Sequence, residues 1–298
     1  MNALDRLKHL AGSRVASIQR NLPRASKNRI LALPPLAAAG DGPVFAVLCE
    51  PRTRIDALWS MWSWLRFAPR PLRPMLFVDG PVDPEWSDRA AGLFPGVRVE
   101  SVPAWLERRG NPLQRHGQFC LHYPFARKLA LLHDLQSGSD LAYCDADVTA
   151  FAPAPEFFDA LFGGRARHMV DHAYPSWDPW VADRAAALGL RHDPHLNSGL
   201  LVIPARAWSD ERLHALLSGW TPEHYHRVTE QTVAGVLMTA AGSEPLPAER
   251  YVISNQGMYF WQTDAPFEGM TARHYTGNVR HLLYSRAYPR LLKSSHAG

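Results

Sequence analysis

Two alternating hydrophobic periods restrict this chain of 298 residues more tightly than any single motif in it. From Val44 the run VFAVLCE is almost continuously apolar, as a strand buried on both faces must be. IDALWSMWSWLRF then carries the spacing of a Trp-rich helix, RPMLFVDG reads as a second strand, PEWSDRAAGLF as a second helix and VRVESV as a third strand. Strands joined by helical crossovers pair in parallel and bury both sheet faces, so the expected class is α/β, with residues 43–298 forming one domain. With 46% hydrophobic and 20% charged residues, the chain has the apolar content of an ordinary globular protein and folds by itself.

Residues 1–42 stand outside this alternation. Leu4, Leu7, Ala11, Val15, Ile18 and Leu22 recur at helical spacing, with Arg6, Lys8, Arg14 and Arg20 between them, giving a basic amphipathic helix over residues 1–22. Such a helix can make peripheral contact with an anionic membrane, or pack its apolar stripe on the same chain or a partner subunit, and packing is the commoner outcome. LPPLAAAGDG, residues 33–42, is expected to be a connector, because Pro and Gly end helices. No apolar run approaches the roughly 18 residues of a membrane span, and the N-terminus lacks the apolar core of a signal peptide. Cys49, Cys120 and Cys144 are odd in number and lack metal-ligand spacing, which points to a reducing, cytoplasmic setting without a disulfide framework. The net charge of +4 comes from arginines spread along the chain, a distribution that suits phosphate ligands and argues against nucleic acid as a partner.

In sheets of this kind, ligands bind beyond the carboxyl ends of the strands. LAYCDADVTAF, residues 141–151, delivers Asp145 and Asp147 to that place on either side of Ala146, where two carboxylates can hold a hard divalent cation through oxygen. A strand ending in a solvated polar turn fits the same tripeptide, because D-x-D alone is common by chance. Neither G-x-G-x-x-G nor G-x-x-x-x-G-K-[ST] follows the first strand, which disfavours dinucleotide oxidoreductases and P-loop enzymes. Glu50, Arg52 and Arg54 leave the first strand and Asp79 ends the second, all facing the crevice. There the arginines suit phosphate and Asp79 a base or ribose, with plain surface charge as the competing reading for each.

Farther along, residues 109–123 are polar, aromatic and irregular, an expected acceptor-side loop. A helix over residues 123–136, with Pro124 near its start, carries Arg127 and Lys128 just ahead of the D-x-D strand, within reach of a bound diphosphate. PAPEFFDALF reads as a helix and ARHMVDHAY as a strand ending at Asp171 and His172. HLNSGLLVIPARAW places Asn197, Ser198 and Gly199 before a buried strand, the small Ser-Gly pair allowing the backbone to approach a ligand closely. VTEQTVAGVLMTAAG is a helix with Glu230 and Gln231 near its start and Thr229 or Thr232 as its cap. ARHYTGNVRHLLY sets His274 and Gly277 in a turn, followed by Arg280.

In this order the segments resemble the GT-A fold glycosyltransferases, and within them the retaining family eight enzymes that include glycogenin and bacterial lipopolysaccharide galactosyltransferases. The resemblance spans residues 44–284 and rests on the ordered set: LAYCDADVTAF, NSGLLVIP, the Glu230-Gln231 pair and HYTGNVR. It implies a single Rossmann-like mixed sheet flanked by helices, with an N-terminal helical extension. It also implies Mn²⁺ (or Mg²⁺) on Asp145, Asp147 and His274, and Lys128 and Arg280 on the diphosphate of a nucleoside diphosphate sugar, a UDP-sugar in this family. Glu50, Arg52, Asp79, Ala146 and Gly277 would complete the donor contacts, while Asn197, Glu230 and Gln231 would orient donor and acceptor. Three departures are visible: Arg280 stands where H-[FY]-x-G-x-x-K-P-W has its Lys and the Pro-Trp is missing, Glu-Gln replaces Asp-Gln, and CEPRTR replaces an aspartate-rich uridine loop.

The resemblance implies transfer of a sugar, with retention, to the hydroxyl of a glycan, lipid-linked glycan or protein. Two other readings stay open. Residues 145–149 also fit D-x-D-x-[TV] of haloacid-dehalogenase-like phosphatases, with Asp145 as nucleophile and Asp147 as acid/base, although that motif normally follows the first strand of its domain. The other reading is a sugar-nucleotide or glycan-binding protein without turnover.

Overall fold

The computed structural model describes residues 27–295 apart from positions 38, 112 and 260, so the amphipathic helix expected over residues 1–22 lies outside the described residues. The first half builds as the alternation requires. Strands β1 (Ala39–Cys49), β2 (Leu72–Val78) and β3 (Arg98–Ser101) pair in parallel, with helices Arg54–Leu65 and Pro84–Leu93 as the crossovers. β4 (Leu141–Asp145) joins the other edge of β1 in parallel, and β7 (Leu196–Ile203) pairs antiparallel with β4. With β6 (Arg167–Val170) and β8 (Glu244–Pro245) the sheet reads β3-β2-β1-β4-β7-β6-β8.

Strand periodicity divides the core. Val44, Ala46, Leu141 and Tyr143 face one apolar cluster, while Phe45, Val47, Ala142 and Cys144 face the other, as side chains alternating on central strands must. Helix Arg54–Leu65 is apolar on nearly every side because it lies inside the second cluster, where Trp64 meets Phe157 at 4.7 Å and Phe45 at 6.5 Å between ring centroids.

Three elements differ from the sequence expectation. β1 begins at Ala39, inside the segment expected as a connector. Gly40 and Gly42 permit this by letting the strand run against Pro71; a Cβ on Gly42 would lie 2.1 Å from the Pro71 carbonyl oxygen. Residues 109–123 are not simply a loop, since they contain the helix Gly117–His122, whose buried Phe119 stacks on Tyr123 at 5.0 Å and meets Trp220 edge-on at 5.3 Å. Six residues are too few to show a helical period in sequence. Helix Thr229–Ala240 has Val228 at its N-cap and no side-chain cap; Thr229 donates instead to the Asp178 carboxylate and the His226 carbonyl, and Thr232 to the Val228 carbonyl.

Alongside the main mixed sheet there is a second sheet of three strands, in which β10 (Ala272–His274) lies between β5 (Val148–Ala150) and β9 (Tyr251–Ile253). β5 follows the D-x-D directly, and its antiparallel pairing sets His274 opposite Val148. This small sheet carries the late histidine back to the carboxylates.

The far edge of the main sheet is stitched by one histidine. On β6, buried His168 meets Ser243 Oγ at 2.7 Å through Nδ1 and Asp193 Oδ2 at 3.1 Å through Nε2. The bond from His168 outweighs burial and holds the Asp193 carboxyl down at about 2. A carboxyl depressed in the folded state stabilises the fold fully above its unfolded value, near 4, and loses that contribution as pH falls through about 2. Asp193→Asn should therefore give a shallower fall in stability between about pH 4 and pH 2, read by urea midpoints across that window.

Candidate active site

A cleft of about 710 Å³ opens beyond the carboxyl ends of β1 and β4. β4 ends at Asp145, directly beside Leu48 of β1, and the turn through Ala146 brings Asp147 to the same floor. Asp145, Asp147 and His274 offer ligand atoms that all lie within 4.8 Å of one another. His274 Nε2 is 3.2 Å from Asp147 Oδ1 and 4.0 Å from Asp145 Oδ2. Its other nitrogen, Nδ1, lies 3.0 Å from Asn197 Oδ1, so a second side chain sets the angle of the ring. The sequence placed His274 in a turn; it ends β10 instead, and only Gly277 occupies the turn.

Asn197, Ser198 and Gly199 belong to the start of β7 rather than the loop before it. Gly199 was expected to admit a ligand, but it admits the imidazole. A Cβ there would lie 2.4 Å from His274 Cε1 and 2.7 Å from Nδ1, closer than any carbon tolerates.

Charge in the cleft is balanced by side chains from four elements. Arg280 Nε and Nη2 both reach Asp147 Oδ2, the former at 3.1 Å. Burial pushes the Asp147 carboxyl up, but the charges of Arg280 and His274, with their hydrogen bonds, outweigh it and hold the group below the usual carboxylate range. Buried Lys128, from helix Ala126–Gly138, donates to Ser198 Oγ at 3.0 Å and lies 3.4 Å from Asp145 Oδ1 and 3.6 Å from Glu230 Oε1. Burial disfavours its charge, yet Asp145 and Glu230 more than restore it, so this ammonium stays protonated. One cation serves two carboxylates there. Burial, with the charge of Asp145, accordingly leaves Glu230 raised above its ordinary range despite Lys128. Glu230 Oε2 accepts from Ser198 Oγ at 3.1 Å, whereas Oε1 is buried without a hydrogen bond. Beside it, Gln231 Oε1 accepts from Ser198 N at 3.3 Å and from Asn197 Nδ2 at 3.4 Å.

Of the remaining residues singled out from the sequence, Glu50, Asp79, Ala146 and Gly277 line the cleft. Arg52 does not: it is 77% exposed and ion-paired with Glu50, directed outward by the short 3-10 turn Pro51–Thr53. Arg127 pairs with Asp79 at 2.9 Å, so of the Arg127-Lys128 pair only Lys128 enters the cleft. Sequence reasoning missed Asp56, Ser198 as a hydrogen-bonding partner, Tyr143 and Arg227. Asp56 lines the cleft almost fully buried, held by Lys27 at 3.0 Å and the Tyr288 hydroxyl at 2.7 Å, and burial raises its carboxyl. A carboxylate inside the apolar run IDALWSMW was the available signal. Tyr143 donates from β4 to Asp145 Oδ1, and period two on that strand could have placed the pair on one face. Arg227, exposed at the cleft rim, had no such signal.

No protein-family model matches the chain, and no curated protein matches it. Among the described residues no helix is long and apolar enough to cross a membrane. Solved structures do match. The apo structure of the bifunctional glycosyltransferase WbbM gives a TM-score of 0.54 at 16% identity over 85% of this chain, which spans only 51% of that longer chain. The galactosyltransferase LgtC, solved in complex with donor and acceptor sugar analogs, gives 0.54 at 13% identity, covering 84% of this chain and 95% of that one. Mouse xyloside xylosyltransferase 1 gives 0.50 at 10% identity, covering 80% and 99%. The seven-stranded mixed sheet with its flanking helices is therefore the GT-A fold that these glycosyltransferases share.

Proposed function

We propose that this chain is a divalent-metal-dependent glycosyltransferase that moves a sugar from a nucleoside diphosphate sugar to an acceptor hydroxyl. The observation that carries the reading is the convergence of Asp145, Asp147 and His274 in the cleft beyond the carboxyl ends of β1 and β4 of a GT-A fold, with Lys128 and Arg280 beside them. Two carboxylate oxygens and one imidazole nitrogen suit a hard or borderline ion such as Mn²⁺ or Mg²⁺. Bound there, such an ion supplies Lewis acidity toward a diphosphate and a template for its oxygens.

The chain's own residues do the rest. Departure of the nucleotide leaves positive charge on the sugar and negative charge on the diphosphate, so the barrier falls most where cations face the leaving group. Arg280 offers two guanidinium nitrogens now turned toward Asp147, and Lys128 a protonated ammonium kept charged by its two carboxylate neighbours. Glu230 Oε1, with the Lys128 ammonium 3.6 Å away and no closer partner, would accept from a hydroxyl of the donor sugar; Gln231 and Asn197 fix the strand beside it. Asp79 and Glu50 line the cleft, which supports a role for them toward the base and ribose of the donor. The family eight resemblance supports a UDP-sugar donor, transfer with retention, and a glycan, lipid-linked glycan or protein as acceptor. The phosphatase reading fits less well, because the D-x-D ends the fourth strand of the domain and Asp145 is capped by Tyr143 and Lys128.

Hydrolysis and transfer should be assayed with a panel of nucleotide sugars and Mn²⁺, and the anomeric configuration of the product read by NMR. Asp147→Asn should lose about 100-fold or more of the turnover. Turnover of equal size with metal chelated would overturn the assignment, and release of phosphate from phosphomonoesters would favour the phosphatase. A second variant separates geometry from charge. Gly199→Ala keeps every ligand residue but drives a methyl group into the His274 ring and shifts it, so Mn²⁺ affinity, followed by titration of the free ion, should weaken about 10–100-fold.

A further inference from the structure

The C-terminal helix Tyr288–Ser295 is pinned at its first residue. Tyr288 stacks on Trp59 at 4.8 Å with 13° between the planes, and its hydroxyl reaches Asp56. This docking brings Arg290 and Lys293, three residues apart, over the end of helix Arg54–Leu65 where Arg66 emerges. A cavity of about 290 Å³ lies between them, lined by Arg66, Arg290, Lys293 and Ser294 with Phe151 and Leu291.

Arg66 is held in a fixed pose. Its guanidinium sits over Trp62 at 4.6 Å and Phe67 at 4.4 Å, and Nη1 donates to Ser294 Oγ at 2.7 Å, while Nε is buried without a partner. Arg290 sits over Phe267 at 4.7 Å. Among the described residues none of these three cations forms an ion pair with a carboxylate. Elsewhere on this chain arginines such as Arg54, Arg127, Arg167 and Arg273 do. Burial, with the charge of Arg290, lowers Arg66 to about 10, the direction expected of a guanidinium in need of a counter-ion. Gathering like charges around a hollow while aromatic faces hold two of them leaves the donor hydrogens free for an anion.

We infer that this cavity is a binding site for a phosphate group, remote from the candidate active site. Helix Arg54–Leu65 has Asp56, which lines the active-site cleft, in its first turn and Arg66 just past its last, which sets the two sites about 15 Å apart along the axis. Planar guanidiniums present paired N–H groups to phosphate oxygens, and the Lys293 ammonium adds further N–H donors. The phosphate can belong to a soluble ion or ester, or to the headgroup of an anionic lipid.

The test uses the full chain without added divalent metal. Inorganic phosphate is titrated against Trp fluorescence, since Trp62 lies beneath Arg66, and co-sedimentation is measured with phosphatidylglycerol vesicles and with neutral phosphatidylcholine vesicles. Arg290→Gln with Lys293→Gln removes two exposed side chains, and circular dichroism confirms that the fold is kept. A saturable phosphate response weakened at least tenfold by the double variant supports a soluble phosphate as ligand. Binding to phosphatidylglycerol vesicles alone, weakened to the same degree, supports the lipid headgroup. No saturable response to either probe, or responses that the double variant leaves unchanged, overturns the site.

Discussion

Carboxylates gathered in a buried place require positive charge, and the candidate site is arranged around that need. Asp145 stands close to both buried acids, Asp147 and Glu230, a grouping that would repel itself apart if left uncompensated. Lys128 and Arg280 supply the positive charge, from different parts of the chain and each distant in sequence from the acid it meets, while His274 sets a ring nitrogen beside Asp147. Lys128 and Arg280, each engaged here with a carboxylate, are the cations that the proposed diphosphate donor would meet. In this arrangement Arg280 stands against the oxygen of Asp147 turned away from His274, so the site keeps its charge balanced before any ligand arrives.

The small three-stranded sheet makes this possible. Without β10 pairing against β5, His274 and Arg280 would have no fixed relation to the D-x-D, since the main sheet ends at Asp145. The antiparallel register sets His274 opposite Val148, one residue beyond Asp147, and the turn through Gly277 then carries Arg280 back over the same carboxylate. Asn197 on β7 completes the frame from the main sheet by holding the other face of the imidazole. Two sheets thus hold the candidate ligands from opposite sides, with Asp145 and His274 on strands and Asp147 in the two-residue turn between β4 and β5.

Much of this was legible in the amino-acid order, because burial on central strands leaves a strong periodic trace. VFAVLCE, RPMLFVDG and LAYCD announce themselves as strands, and the ends of those strands gave Glu50, Asp79, Asp145 and Asp147 as cleft residues. The ordered resemblance supplied Lys128, Asn197, Glu230, His274 and Arg280, all of which line the cleft. What the sequence hid were contacts made only in three dimensions. Nothing local distinguishes Arg52, which pairs with Glu50 and points outward, from an arginine that turns inward. Asp56 was concealed because its partners, Lys27, Tyr284 and Tyr288, lie at the two extremities of the described chain. Helix Gly117–His122 escaped because its stability comes from Phe119 against Tyr123 and Trp220, not from its own period.

The meeting of Gly199 with the His274 ring reaches beyond the site itself. A methyl group at position 199 and an imidazole at position 274 cannot occupy the same space, so the two positions form a single inherited choice rather than two independent ones. A descendant of this chain that keeps the ring in its present pose keeps glycine on the facing strand, and one that fills that place with a side chain must turn the ring elsewhere or give it up.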